Sequence, residues 1–94
     1  MSLFVVQHTH TAEGCPAADK EMAPMLLTVL ASAPESGVEI LAEALVDGQH
    51  ELNMIVRADA QSSVEKFMAP FKMMGTVSVR QASLCEKVVD RGGC

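Results

Sequence analysis

The stretch that decides the fold runs from Val38 to Ala58, VEILAEALVDGQHELNMIVRA. Val38, Ile40, Ala42, Ala44 and Val46 alternate with Glu39, Leu41, Glu43 and Leu45, the period of two expected of a strand with two unlike faces. Asp47-Gly48 follows, a dipeptide suited to the positive backbone angles of a tight hairpin. Leu52, Met54, Val56 and Ala58 then alternate with Glu51, Asn53 and Arg57. The segment reads as a β-hairpin with arms at 38–47 and 51–58.

On the N-terminal side, Leu3 to His10 (LFVVQHTH) reads as a strand, apolar on both faces at its start and so suited to the middle of a sheet. Thr11 to Gly14 is a turn. Cys15-Pro16 opens a helical stretch to about Ala33, with Met22, Met25, Leu26, Val29 and Leu30 at helical spacing. Pro24 is expected to kink or split it, and Pro34 and Gly37 to end it. Beyond the hairpin, Ser62-Ser63-Val64-Glu65 has the pattern of a capping box. The second helix reaches about Met74, with Val64, Phe67, Met68 and Phe71 on one face, a kink at Pro70 and a stop at Gly75. Thr76 to about Leu84 is the fourth strand. Residues 85–94 form a cysteine-containing tail with no clear period.

The order β-α-β-β-α-β with one tight hairpin is the ferredoxin-like plan. It implies one α+β domain over 1–94, a four-stranded antiparallel sheet in order 4-1-3-2, and two helices on one face. This element order resembles the dimeric α+β barrel superfamily, whose members pack two such sheets face to face. The superfamily includes small monooxygenases, stress-responsive barrel proteins and a small nickel-binding branch. Size points the same way: a chain of 94 residues buries only about 60 to 65% of its unfolded surface. A homodimer or larger homo-oligomer is the expectation.

Composition narrows the function. Seven Lys and Arg against twelve Asp and Glu give a formal charge of −5, with three Phe and no Trp or Tyr. There is no basic surplus for phosphates and no stacking platform for bases, so nucleic acid is not an expected partner. The N-terminus lacks the basic and apolar regions of a signal peptide, and no apolar run reaches the roughly 18 residues of a membrane span. A cytoplasmic protein with reduced thiols is expected. Three cysteines, an odd number, argue against a closed disulfide framework.

The sharpest chemical feature is His8-Thr9-His10 followed by Cys15. Residues i and i+2 of a strand point to one side, so both imidazoles can reach one ion. Cys15 returns after a turn containing Gly14. His8, His10 and Cys15 form a ligand set for Zn, Ni, Cu or Fe, with an open fourth position. Cys85 and Cys94, the latter behind Gly92-Gly93, are further candidate ligands from the tail or from a partner chain. Taking the first and third strands as parallel places His50 at the end of the sheet opposite His8 and His10, and a fourth strand antiparallel to the first places Cys85 there as well. Glu13, Asp19 and Glu21 read as helix-start charges or as hydrogen-bond partners of a liganding histidine. Met73-Met74 reads as a pocket lining.

The functional expectation is a transition-metal-binding protein for buffering, sensing or metal-assisted chemistry. A second reading is a thiol redox or sulfur-transfer protein using Cys15 or Cys94, with Cys15 activated at a helix N-terminus. A third is a cofactor-free, monooxygenase-like enzyme or small-molecule binding module. No Ser-His-Asp pattern, phosphate loop or dinucleotide fingerprint is present.

Overall fold

The computed structural model describes residues 1–94. Its strands are β1 (Ser2–Thr9), β2 (Val38–Leu45), β3 (Glu51–Ala58) and β4 (Thr76–Ala82), and its helices are α1 (Met22–Ala31), α2 (Gln61–Lys72) and α3 (Cys85–Asp90). The strands form one antiparallel sheet in the order β2-β3-β1-β4, the expected arrangement read from its other edge. No helix is long and apolar enough to cross a membrane.

One expectation about that sheet is corrected. β1 and β3 are antiparallel, with Thr9 opposite Glu51 and Ser2 opposite Ala58. The physical reason lies in the connections. A helical crossover from β1 to β2 keeps those strands parallel, and the tight hairpin reverses β3 against β2. His50 therefore lies at the same end of the sheet as His10, and the His10 N–H donates to the His50 carbonyl at 3.0 Å.

The core sits on one face. Phe4 and Val6 of β1, Val38 of β2, and Leu52, Met54, Val56 and Ala58 of β3 meet Val64, Phe67, Met68 and Phe71 of α2. Leu26, Val29 and Leu30 of α1 pack against the same cluster but stay partly exposed, and α1 contributes no fully buried residue. α2 is thus the anchor and α1 a lightly seated cover. Between them lies a cavity of about 230 Å³ lined by Pro16, Pro70 and Met22, Met25, Met73 and Met74 among others. It has no polar lining, as expected of methionines acting as adaptable filler.

Several local expectations shift. The first helical stretch divides into a three-residue 3₁₀ turn (Pro16–Ala18), α1, and a second turn (Ala33–Ser36). The break precedes Pro24, because Asp19 Oδ1 accepts from the Glu21 and Met22 N–H groups at 2.8 and 3.3 Å and starts α1 there. Pro24 then sits in the first turn, where its missing N–H costs little. The Ser62 capping box is not formed: α2 begins at Gln61 without a side-chain cap. The tail is ordered into α3.

The alternation in β2 also breaks. The register slips between Ile40 and Ala42, so Leu41 is the extra residue of a β-bulge. Beyond it Ala42 and Ala44 pair with Ile55 and Asn53, while Glu43 and Leu45 pair with Met54 and Leu52 and join the helix-covered side. The opposite face of the sheet is uncovered. It carries the Glu39–Arg57 ion pair at 2.8 Å and leaves Ile55 45% exposed.

Candidate metal centre

Three side chains converge at the β1–β3 end of the sheet. His10 follows the last residue of β1, His50 precedes the first residue of β3, and Cys15 closes the turn after β1. One ligand atom from each lies within 4.8 Å of the others. Ligands around a tetrahedral Zn(II) at about 2.0 to 2.3 Å stand ~3.5 Å apart, so small side-chain rotations suffice to close the set. Two imidazoles and a thiolate suit a borderline to soft transition ion, and three protein ligands leave one position open.

Local sequence explains the convergence. Thr11 folds the chain back, its carbonyl and Oγ1 both accepting from the Gly14 N–H at 3.2 Å. That turn returns Cys15 beside the strand end. Pro16 follows with its ring buried and fixes the exit direction. The β1–β3 pairing supplies His50 through the backbone bond already described. Gly75, immediately before β4, lets the backbone approach this end closely. A Cβ there would stand 2.0 Å from the Thr9 carbonyl oxygen and 3.1 Å from His10 Cα. Gly75 is therefore required by space, since its φ is not positive, and it does not act as a left-handed helix stop.

The histidines form a row. His8 and His10 have ring centroids 5.3 Å apart, and His10 and His50 5.1 Å. His8 is 1% exposed and His10 8%. His8 Nε2 and both ring nitrogens of His10 are buried without a protein partner. Such orphaned nitrogens are costly unless something binds them. Burial holds the His8 pKa below its ordinary value, the neighbouring His10 adds to this, and hydrogen bonding to the Phe71 backbone works the other way. Burial, and then His50, likewise lower that of His10. Both rings are therefore neutral at pH 7, the state in which imidazole ligates a metal.

A stability signature follows from His8. Its folded pKa lies below the unfolded value of 6.5, so the unfolded chain takes up the proton first. In chelator-treated protein the stabilisation is complete above pH 6.5 and declines as the pH falls through the folded pKa. Urea unfolding at stepped pH is expected to show this slope, and His8→Phe to flatten it. A slope unchanged in His8→Phe would assign the acid sensitivity elsewhere.

Of the five expected ligands, the structure brings His10 and Cys15 into the cluster. His8 lies one ring away and is not among the three converging residues. Cys85 and Cys94 are exposed and belong to α3 and the chain end beyond it, after β4 has run to the opposite end of the sheet. All three thiols are free. Cys15 does not stand at the start of a long helix. The element after it is a three-residue 3₁₀ turn, too short for an appreciable macrodipole. His50 is the ligand that the reading of the sequence misplaced. Glu13, Asp19 and Glu21 make no hydrogen bond to a histidine; the Asp19 carboxylate instead accepts from the backbone at the start of α1. Met73 and Met74 line the apolar cavity between α1 and α2.

No protein-family model matches the chain, and no curated protein is significantly similar to it.

Proposed function

We propose that the chain is a transition-metal-binding protein whose centre is His10, Cys15 and His50. The observation that carries this reading is their convergence within 4.8 Å at a place where both His10 nitrogens are buried and unpartnered. Three neutral or thiolate donors on a pre-shaped loop and strand end suit Zn(II), Ni(II), Cu or Fe(II). The open fourth position suits transfer of the ion to another ligand, or use of the ion as a Lewis acid, better than permanent structural closure. Within this reading the chain buffers or delivers the metal, or uses it on a small substrate. The β-α-β-β-α-β element order supports the ferredoxin-like plan as its scaffold.

Cobalt(II) tests the donor set directly, because a thiolate ligand adds an intense ligand-to-metal charge-transfer band. Titration of untagged, metal-free protein is expected to reach saturation at one Co(II) per chain, with that band present. Zinc is expected to displace it. A chain that binds cobalt without the thiolate band, or binds none, would overturn the centre.

A further inference from the structure

Beneath α1 lies a second cavity of about 120 Å³. Leu26, Leu27 and Leu30 of α1 line one side, and Leu52 and Phe71 line the other. His8 and His10 belong to the wall, and Glu43, turned to this side by the Leu41 bulge, lines it too. An apolar cavity of about 150 Å³ holds a benzene-sized molecule, so this somewhat smaller one takes a single small ring or a short branched chain once the side chains adjust. We propose that this cavity is a binding site for a small, neutral, largely apolar molecule carrying one O–H or N–H donor, such as a phenol or a short branched alcohol, with that donor on His8 Nε2.

Three observations define the ligand. His8 Nε2 is buried, lacks a partner and belongs to a side chain of the cavity wall. Nε2 is the His8 ring nitrogen that is buried without a partner, and in the tautomer that carries its proton on Nδ1 it is an acceptor. The ligand must then donate. The remaining wall is mostly leucine and phenylalanine, so its body must be apolar. Glu43 in the wall, with a net chain charge of −5, disfavours an anion. Entry needs only a shift of α1, which buries no residue completely.

The proposal extends beyond the metal centre and stands without it. Phenol and its near-isostere toluene are the probes, titrated by calorimetry into zinc-loaded and chelator-treated protein. Phenol is expected to bind once per chain in both forms, about tenfold tighter than toluene, the difference a buried acceptor left unpaired imposes. His8→Phe is expected to abolish that preference. Leu27→Trp, at an exposed position that tolerates the change, is expected to weaken both probes at least tenfold by filling the mouth. Equal binding of phenol and toluene to the native chain would overturn the role of His8. Absence of binding would mark a cavity that holds only water and overturn the site. Binding confined to the zinc-loaded form and lost in Cys15→Ser would place phenol on the ion and overturn the proposal. Phenol binding in a chain that takes up no metal would leave this site standing and remove the metal centre.

Discussion

Replacing Cys15 with Ser is expected to weaken zinc binding about 100-fold, because a thiolate contributes roughly a quarter of the binding free energy of a four-ligand zinc site. Serine keeps the size and the turn but offers no thiolate. His50→Ala is expected to act in the same direction, since His50 is one of the three converging donors. Cys85→Ser and Cys94→Ser are expected to leave the affinity within about twofold, because both are exposed and outside the cluster. Competition with a chromophoric chelator measures all four. Thermal unfolding gives an independent reading. Zinc at about 100 times its Kd stabilises the native chain by about 2.7 kcal/mol, an increment that Cys15→Ser is expected to lose at the same concentration. Equal affinities for native and Cys15→Ser protein would eliminate the centre. A loss caused by Cys94→Ser would instead bring the chain end into the site.

Gly75→Ala is expected to be the most damaging single methyl group in the chain. The added Cβ would lie 2.0 Å from a backbone oxygen, which cannot turn aside as a side chain does. Either β4 or the Thr9–His10 segment must move. Overpacking of this kind costs about 3 kcal/mol. For a domain of this size that corresponds to a fall in melting temperature of about 15 °C. The displaced segment carries His10, so zinc affinity is expected to fall along with stability. Gly14→Ala is the control: its Cβ would meet only the Thr11 hydroxyl, at 3.3 Å. Circular dichroism melts of both variants, with and without zinc, measure the two effects. A melting temperature for Gly75→Ala within about 3 °C of native would show that the strands yield more easily than their packing indicates.

Much of this arrangement was legible in the residues. The hairpin at Asp47-Gly48, the Glu51–Ala58 strand and the apolar face of α2 all express local periods, and each stands where those periods place it. His10 and Cys15 were legible as well, because a His-x-His strand end and a Gly-containing turn are local features. His50 was assigned to the wrong end of the sheet, although the signal for the right one existed. It lay in the relation between connections: a crossover followed by a hairpin makes β3 run against β1. The Leu41 bulge had no such signal. In VEILAEAL apolar side chains fall on both faces, Val38 and Ile40 on one and Leu41 and Leu45 on the other, so the period of two reads in either register, and only pairing with β3 selects one. The close approach at Gly75 was equally hidden. Glycine after a helix signals a stop, while the contact that requires it comes from a strand more than sixty residues earlier.

The backbone bond from His10 to His50 gives the ion a structural meaning as well as a chemical one. These two ligands stand ~40 residues apart, and closing such a loop in an unfolded chain costs about 3 kcal/mol beyond a constant. The β1–β3 pairing meets that cost before any ion arrives. A bound metal would then act as a reversible cross-link, tying the loop after β1 to the turn before β3 in a chain whose three thiols form no disulfide. Unlike a disulfide, it would answer to the supply of free ion rather than to the redox potential. The lifetime of the folded chain would then rise and fall with metal availability.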